Sequence, residues 1–413
     1  MTSLMTADER YQSDLETVLN QKNEIGYAGL FSRLRPSLAG DPFNLKIRYE
    51  DDGRVLFKYD QIRSDMDSLV CQTARGHIYD VVTPYGEPVV AVSRPFDKFF
   101  NATERQGEQV VTAMSDDLVA EEKADGTCIA LYYWRGEWVA QTLGTVEATG
   151  EVCGIHGDLY DGTFSRLFWT TMKDRHGSSA LDRLDHGLTY IFELCTPWNR
   201  IVTRYDEHHV VLLGARVTRT GEEVKPIYLR SLPFPQPKRE RIYDPNGAVA
   251  RLADLDEEHE GFVVVDRRNR NAQGQFLRVK VKNPAWFKLS KMRDSLTATQ
   301  DALYGYALDH DEEVLGYFPD LEPKYLDLKA KLDYTATWMQ SHADAWTTHV
   351  YRQVWSRKDY AGAVGSSWYK GPLRGIMFAL LDGKVASARD GLRQVSPKAV
   401  IPFLLNPDNP FDG

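Results

Sequence analysis

Short, β-prone apolar segments separated by turn residues fill most of the chain between Leu45 and Lys282. Hairpin turns are indicated at Asp51-Asp52-Gly53 and at Arg135-Gly136. Helices do not alternate regularly with these segments, and no Gly-x-Gly-x-x-Gly or Walker-type loop is present. We therefore predict an α+β domain of antiparallel sheets with flanking helices, not a doubly wound fold. The predicted strands are Leu45–Tyr49, Val55–Tyr59, His77–Val82, Pro88–Val92, Cys128–Trp134, Glu137–Leu143, Leu188–Leu194, Arg200–Tyr205, Val210–Val217, Gly261–Asp266 and Phe276–Lys282.

The segments around these strands have helical or irregular patterns. Thr6-Ala-Asp-Glu9 is a capping box and predicts a helix from Ala7 to about Leu19. The polar stretch Ser115 to Ala124 is interpreted as a loop or a short helix. Four prolines in the stretch from Lys225 to Lys238, which continues as Lys-Arg-Glu-Arg, predict an irregular connection there.

From about Pro284 the composition changes to one rich in Leu, Ala, Lys, Met and Trp with helical spacing. Two of the later helices have a proline near their start, where a helix tolerates it. The predicted helices are Leu321–Trp355, Gly371–Leu381 and Ser396–Leu405. We therefore predict two domains, 1–294 and a mostly α-helical domain over 295–413.

Charge and cysteine content restrict the class of protein. A formal net charge of −9 argues against a protein that coats nucleic acid non-specifically, although a local basic groove stays possible. Cys71, Cys128, Cys153 and Cys195 lie far apart and are typical of reduced thiols in a cytosolic protein. The N-terminus has no secretory pattern and no apolar run approaches a membrane span, so we expect a cytoplasmic protein without a membrane partner.

Lys123 lies in Glu121-Glu-Lys-Ala-Asp-Gly-Thr127, just before the apolar segment Cys128–Trp134. A lysine beside a strand can be held rigidly with its ammonium directed into a pocket. The Lys-x-Asp-Gly pattern there suggests a lysine nucleophile that takes up a nucleotide. The alternative is a surface turn with Asp125-Gly126 at its corner, so the rest of the chain must decide.

Five further segments carry polar groups on or beside predicted strands, where packing alone does not require them. Each also has a structural interpretation, since alternating lysines usually form a solvated strand face and a glutamate can close a turn. In the last segment Lys280 and Lys282 alternate and so share one face. The segments are Gln72–Gly76, Arg94–Glu104, Tyr190–Val202, Glu260–Val265 and Leu277–Lys282.

In this order and spacing, the segments resemble those of the covalent nucleotidyltransferases, the superfamily of ATP-dependent ligases and messenger-RNA capping enzymes. The resemblance is closest to the type-1 RNA ligases of T-even phages and extends over about residues 70 to 292. Its most specific parts are Lys98-Phe-Phe-Asn with Glu104, Lys123-Ala-Asp-Gly, Phe192-Glu-Leu-Cys-Thr-Pro-Trp-Asn-Arg-Ile-Val-Thr-Arg-Tyr205, Glu260-Gly and Lys280-Val-Lys282.

The resemblance implies ATP and Mg²⁺ (or Mn²⁺) as cofactors. Lys123 would attack the α-phosphate of ATP, expel pyrophosphate and retain AMP as a phosphoramidate. Because the attacking amine must be unprotonated, Lys280, Lys282 and a metal cation would lower its pKa. The two strand lysines would also bind the α-phosphate, and Arg75 and Lys98 would hold the outgoing phosphates.

The same resemblance assigns the other nucleotide contacts. Phe100 would pack near the nucleophile, and Glu193 would bind the ribose hydroxyls or orient a metal-bound water. Glu260, followed by Gly261, would serve Mg²⁺. The remaining two contacts would be the backbone around Glu122, which reads the adenine edge, and Gly126, which allows close approach of backbone to nucleotide.

Two stretches depart from the family pattern or leave its roles open. Many relatives carry a lysine in the strand after the nucleophile strand, but Gln141–Thr145 has none, so either another cation replaces it or a phosphate contact is missing. An acidic cluster falls where type-1 ligases have acidic residues that help a second metal. A helix N-terminus is the alternative for this cluster, Asp309, Asp311, Glu312 and Glu313.

The leading hypothesis is an ATP-dependent RNA ligase that acts on single-stranded RNA ends or a nicked tRNA, in RNA repair. A DNA ligase or capping enzyme is the first alternative, although such enzymes usually continue into an OB-fold barrel and this chain continues into predicted helices. A non-catalytic RNA-end-binding module is the second. Aromatic and basic side chains of the helical domain could contact RNA: Trp355, Arg357, Lys358, Trp368, Tyr369 and Lys370. A phage origin would place the protein in the host cytoplasm, and the oligomeric state is left open.

Overall fold

A computed structural model of the chain describes residues 6–20, 34–81, 88–152, 160, 162–290, 300–310, 315, 321–351, 355–366 and 371–404. The chain divides into two units, Met1–Lys288 and Leu289–Gly413. The domain boundary predicted near residue 295 falls within 291–299, outside the described residues.

In the described part of the first unit, the strands form three four-stranded antiparallel sheets. Sheet A has the order β1-β2-β3-β4, sheet B the order β10-β5-β11-β12 and sheet C the order β7-β6-β8-β9. The fold prediction of antiparallel sheets with flanking helices is therefore confirmed. The strands are β1 Lys46–Tyr49, β2 Arg54–Lys58, β3 Arg75–Asp80, β4 Val90–Ser93, β5 Leu118–Glu122, β6 Thr127–Trp134, β7 Glu137–Thr142, β8 Leu188–Cys195, β9 His209–Val217, β10 Arg239–Ile242, β11 Gly261–Arg270 and β12 Phe276–Lys282.

Helices cover the outer faces of these sheets. Thr163 caps the longest helix of the first unit by accepting from Arg166 N, and that helix buries Phe164, Leu167 and Phe168 in the core of sheet C. The helices of the first unit are Ala7–Gln12, Leu15–Leu19, Leu69–Thr73, Arg105–Ala113, Phe164–His176, Pro226–Leu229 and Pro245–Arg251, with helical residues also at 34–39 and 284–290.

The second unit is helical in all of its described elements, as predicted. Its core includes Tyr325, Leu332, Met339 and Tyr360, and the Tyr360 hydroxyl donates to Met377 O at 2.7 Å. The helices are Gln300–Asp309, Glu322–Tyr351, Arg357–Ser366, Pro372–Leu381, Ala388–Arg393 and Pro397–Leu404. Among the described residues, no helix is long and apolar enough to cross a membrane.

The stretch from Ser115 to Ala124 is not the predicted loop or short helix, because residues Leu118–Glu122 form β5 in the interior of sheet B. β5 pairs with β10 on one side and with β11 on the other, and Leu118, Val119 and Ala120 are buried. The polar residues that suggested a loop flank this short apolar centre. β10 itself lies within the stretch predicted to be irregular, where it forms a sheet edge that tolerates its charges.

Two further predictions from the sequence need correction. Residues 200–205 form no strand; they are a bent segment whose backbone donates to a side chain near Lys123. The N-terminal helix is interrupted after Gln12, because Asp14 caps a new helix by accepting from Thr17 N. The predicted capping box is present, with Thr6 and Glu9 bonded reciprocally.

Candidate active site

Lys123 lies where the chain leaves sheet B and enters sheet C. It follows β5 directly, and its backbone N–H donates to Gly261 O on β11 at 2.9 Å. Its side chain is held by Glu260, whose Oε2 accepts from Lys123 Nζ at 2.6 Å. A surface turn would leave the ammonium in solvent, whereas this lysine is fixed by a neighbouring strand and by a carboxylate that is 5% exposed.

Glu260 joins two of the predicted site lysines. Its second oxygen, Oε1, lies 3.2 Å from Lys282 Nζ, so one buried carboxylate contacts two ammonium groups. Gly261 makes this arrangement possible: its φ is +122°, and a methyl group there would lie 2.3 Å from Val281 O. Only glycine fits at this position, where β11 pairs with β12, without displacing the backbone.

The pKa of Lys123 depends on burial and on the charges around it. Burial lowers it, but the carboxylates of Glu260 and Glu193 more than offset this, and the pKa of Lys123 is raised. The predicted lowering of this pKa by Lys280, Lys282 and a bound metal cation together stays a prediction, since the two lysines alone do not outweigh the carboxylates. Their effect is outweighed because Glu260 lies between Lys282 and Lys123, in contact with both. The nucleophile is held as an ammonium ion by its carboxylates.

Glu193 lies on β8 with its carboxylate 8% exposed. Its Oε1 accepts from Gly126 N at 3.1 Å, so the string after Lys123 binds it directly. Burial raises the pKa of Glu193 to about 7, with Lys123 opposing the shift and Glu260 adding to it. At Gly126 the close approach is to protein backbone, because a methyl group there would lie 2.3 Å from Leu194 O.

Asp125 has a structural role that the sequence did not indicate. Its Oδ2 accepts from Val202 N and Thr203 N, both at 2.9 Å, and from Trp286 Nε1 at 3.2 Å. Asp125 N donates to the Tyr205 hydroxyl at 3.2 Å. The aspartate of the Lys-x-Asp-Gly string thus fixes the 200–205 segment beside the nucleophile.

Lys280 and Lys282 lie on one face of β12, opposite Val263 and Gly261 in register. Lys280 is in a different electrostatic setting from Lys282, since it has no carboxylate partner among the described residues and its Nζ lies 4.8 Å from the Phe99 ring centre. Burial and the charges of Arg75 and Lys98 lower the pKa of Lys280 to about 6. An anion bound there would restore the proton and gain a charged donor.

The Lys98–Asn101 segment runs beside β12 and is joined to it by a single parallel bridge. Lys280 N donates to Phe100 O at 2.8 Å, and an isolated bridge joins Asn101 to Lys280. Extended segments direct successive side chains to opposite faces. Phe99 lines the cavity at Lys123 and also an adjacent one, whose wall includes Lys98 and Phe100. Phe100 is in the wall of the adjacent cavity, and its packing near the nucleophile stays a prediction.

A cavity of about 130 Å³ lies between sheets B and C with Lys123 in its wall. Its cations are Arg75, Arg278 and Lys280, of which Arg278 is neutralised by Glu223 at 2.6 Å. Arg75 donates to Phe96 O at 3.0 Å. Apolar walls come from both sheets, with Val263 on β11 and Leu213 on β9.

Glu122 borders both this cavity and a neighbouring one of about 420 Å³. Its backbone N–H is already used, because it donates to Lys238 O at 2.9 Å. Its carboxylate lies 3.5 Å from Lys238 Nζ. Any backbone contact to a base at this position would therefore have to come from another group than the Glu122 N–H.

The structure describes only one of the three predicted metal ligands. Glu260 is in place, whereas Asp311 and Glu312 lie outside the described residues. Within the described ranges, no group of three or more His, Cys, Asp or Glu side chains has metal-binding geometry. Asp309 pairs with Arg393 at 2.7 Å. Glu260 could bind a cation that uses a single protein carboxylate and retains several coordinated waters, as Mg²⁺ commonly does.

Comparison with known proteins finds relatives that are described as RNA ligases. The protein is 27% identical to an RNA ligase of Rhodothermus phage RM378 over 353 residues, or 72% of this chain and 77% of that one. It is 32% identical over 244 residues to a protein described as a putative bifunctional polynucleotide kinase/RNA ligase of Autographa californica nuclear polyhedrosis virus. That match covers 55% of this chain and 33%, about a third, of the viral protein.

Solved structures with a similar fold include an archaeal ATP-dependent RNA ligase, which matches 70% of this chain and 68% of its own at 16% identity and a TM-score of 0.42. A Naegleria gruberi RNA ligase with ATP and Mn matches 47% of this chain and 56% of its own, at 12% identity and a TM-score of 0.34. The family model described as RNA ligase matches residues 73–286, a little over half of the 413 residues. This chain belongs to that RNA ligase family, as the resemblance to type-1 covalent nucleotidyltransferases predicted.

Proposed function

We propose that the protein is an ATP-dependent RNA ligase that joins 5′-phosphate and 3′-hydroxyl RNA ends. Its first step would be the transfer of AMP from ATP to Lys123, its second the transfer of AMP to the RNA 5′-phosphate, and its third the joining with release of AMP. The observation that carries the proposal is that Lys123, Glu193 and Lys280 line one cavity and Glu260 holds the Lys123 ammonium, although these residues come from segments far apart in the chain.

The proton on Lys123 is the first obstacle to attack, because its amine needs a free lone pair. Glu260 keeps that proton in place through the 2.6 Å contact. A divalent cation at Glu260 would withdraw the carboxylate charge and supply Lewis-acid stabilisation at the phosphate. The positive charges of Lys280 and Lys282 would then no longer be offset by Glu260, and they would lower the pKa of the Lys123 amine.

The phosphates of ATP would be bound by the cations around the cavity. Lys280 has no carboxylate partner among the described residues, which leaves its donors available for the α-phosphate, and Arg75 lines the same cavity. Negative charge that develops as pyrophosphate leaves would be stabilised by these fixed donors. Adenine would lie between the apolar walls, with Val263 on one sheet and Leu213 on the other, and Glu193 would accept from the ribose hydroxyls.

The helical unit would select the RNA, in keeping with a role in RNA or tRNA repair in the cytoplasm. Trp355 stacks on His349 with ring centres 5.2 Å apart, which forms an aromatic surface that a base could extend. Arg357 is paired with Asp382 and is therefore a weaker candidate for a phosphate contact. Of the other candidates, Lys358 is exposed on the helix that begins at Arg357, whereas Trp368, Tyr369 and Lys370 lie outside the described residues.

Labelling with α-³²P-ATP and a divalent metal tests the proposal. Wild-type protein should form a covalent adduct that is stable to alkali and labile to acid, as a phosphoramidate is; Lys123→Ala should form none, and Lys238→Ala should label normally. Lys238 is the matched control, because it is an exposed lysine that borders the neighbouring cavity. Labelling of Lys123→Ala at the wild-type level would refute the assignment of the nucleophile. A guanylate adduct from GTP would instead favour a capping enzyme.

Joining assays then separate the remaining alternatives. The labelled protein should seal single-stranded RNA or nicked tRNA better than a nicked DNA duplex, and the reverse preference would favour a DNA ligase. A non-catalytic module would form no adduct with any nucleotide. Removal of residues 295–413 should spare labelling and weaken RNA joining, and undiminished joining would contradict the role given to the helical unit.

A further inference from the structure

Lys58 is the last residue of β2 in sheet A, and it precedes the residues that match the RNA ligase family model. It is partly buried, yet its ammonium makes no hydrogen bond or ion pair in the part of the chain that the structure describes. Burial lowers the pKa of Lys58, and the charges of Lys46 and Arg75 lower it further. A half-buried cation surrounded by other cations is costly unless an anion balances it.

The cross-strand neighbour of Lys58 is Arg75 on β3. Residues directly opposite on antiparallel strands have side chains about 5 Å apart, and like charges in that position are unfavourable. Arg75 also lines the cavity that contains Lys123. Lys58 does not line that cavity itself, so the pair extends its positive charge outward from Arg75.

The turn after β7 lies against both of these residues. Gln141 Nε2, near the end of β7, donates to Gly76 O at 2.7 Å, and a methyl group at Gly76 would lie 2.9 Å from Leu143 Cα, so the turn lies against the residue after Arg75. A methyl group at Gly144 would lie 3.5 Å from Lys58 Nζ, so the ammonium reaches the turn. This is the stretch, Gln141–Thr145, from which the lysine common in relatives is missing. Sheet A thus brings a lysine to the same turn from a strand outside the family match.

We propose that Lys58 and Arg75 together bind a phosphoryl group that projects from the cavity at Lys123, and that Lys58 replaces the lysine missing from Gln141–Thr145. Two converging cations suit a phosphate dianion, which can accept charge-assisted hydrogen bonds from both. The inference rests on the proposed ligase function. The phosphoryl group has two possible sources, the terminal phosphates of ATP and the 5′-phosphate of the RNA.

Three variants test Lys58. Lys58→Met keeps most of the aliphatic stem and removes the charge, Lys58→Arg keeps the charge, and Lys46→Met is the matched control. Lys46 faces Lys58 from β1, but it is exposed and its ammonium is paired with Asp60 at 2.9 Å. The assays are the KM for ATP in self-adenylylation, the KM for pyrophosphate in the reverse reaction, and the rate of AMP transfer from preloaded protein to 5′-phosphorylated RNA.

If ATP is the source, Lys58→Met should raise the KM for ATP and for pyrophosphate by roughly 10-fold or more, the loss of one charge-assisted contact. If the RNA is the source, the same variant should slow AMP transfer by a similar factor and leave both KM values unchanged. Either result supports the phosphate-binding pair, provided that Lys58→Arg stays near wild type and Lys46→Met is unaffected.

The inference is overturned if wild-type protein labels at Lys123 and Lys58→Met matches it in all three assays. It is also overturned if Lys58→Arg is as impaired as Lys58→Met, since that would indicate a packing role instead of a charge. Absence of labelling in wild-type protein would overturn the proposed function, and this inference with it. The wild-type control therefore distinguishes the two failures.

Discussion

A position can require glycine for two physical reasons, a positive φ or the close approach of another atom, and three glycines of this chain distinguish the two. Gly136 has φ +98° and no atom within 4 Å of the position that a methyl group would occupy, so alanine there meets backbone strain alone. Gly126 has no positive φ, but a methyl group would lie 2.3 Å from Leu194 O. Gly261 combines both, with φ +122° and a methyl group 2.3 Å from Val281 O. Alanine substitutions at these positions therefore form a graded series.

The expected losses in the free energy of unfolding follow from these contacts. Backbone strain in Gly136→Ala should cost about 1–2 kcal/mol. Overpacking in Gly126→Ala should cost about 1–3 kcal/mol. Gly261→Ala should cost about 2–5 kcal/mol, the sum of the two ranges. The obstructing atoms at Gly126 and Gly261 are backbone carbonyls in sheets, so they cannot rotate away as a side chain would.

The same series should affect catalysis differently. Gly261 is the first residue of β11 and pairs with Lys282 on β12, and its carbonyl accepts from Lys123 N. Separation of these strands would move Lys282 away from Glu260 and loosen Lys123. We therefore expect Gly261→Ala to slow AMP labelling per folded molecule, whereas Gly136→Ala leaves it unchanged.

Urea denaturation followed by tryptophan fluorescence, together with single-turnover labelling under native conditions, measures both effects. If Gly261→Ala were no less stable than Gly136→Ala and labelled as fast, the steric argument would be refuted. A Gly126→Ala variant that retained full stability would show that β8 can shift to admit a methyl group.

Three further perturbations test the electrostatics and hydrogen bonding of the site. Burial raises the pKa of Glu193 from 4.5 to about 7, so folding favours its neutral form. The contribution of this group to the free energy of unfolding is therefore fully present below pH 4.5. It is lost as the pH rises to about 7, by up to roughly 3 kcal/mol. Denaturation of Glu193→Gln at pH 5 and pH 8 should show a smaller difference than wild type, and an unchanged difference would contradict the raised pKa. Because the pKa of Lys280 is lowered to about 6, ATP binding to Lys123→Ala at pH 7.5 should take up about one proton, and Lys280→Met should abolish this uptake; calorimetry in two buffers of different ionisation enthalpy measures it, and equal heats would count against it. Asp125→Ala leaves three donors without their acceptor and should lower the free energy of unfolding by about 3 kcal/mol. Trp286→Phe removes one of these donors and should lower it by about 1 kcal/mol. Similar urea midpoints for the two variants would be inconsistent with this role of Asp125.

Local patterns predicted much of the fold. The capping box at Thr6, the hairpin at Arg135-Gly136 and the long helix from Glu322 follow from spacing and turn chemistry, because neighbouring residues decide them. β5 does not, since its apolar centre is short and flanked by acids; its identity as a strand depends on pairing with β10 and β11. The composition of residues 200–205 predicts a strand, but their backbone donors bind Asp125 instead of a neighbouring strand.

The candidate site divides in the same way. The resemblance to the covalent nucleotidyltransferases predicts Lys123, Glu193, Glu260, Lys280 and Lys282 as site residues, and the structure brings them to one place. The spacing does not indicate that Phe99, not Phe100, borders the nucleophile cavity, because that depends on which face of the segment packs on β12. Nor does it indicate that Asp125 anchors a distant segment.

By itself, the sequence determined the antiparallel strands, the helical second unit and the candidate nucleophile, since these depend on residue type, periodicity and local spacing. The tertiary structure decided the protonation of Lys123, the neutral tendency of Lys280 and the position of Lys58 beside Arg75. Electrostatic energy and steric exclusion act through space and depend on distances between atoms. The groups that set them here come from three sheets, whose packing no local pattern specifies.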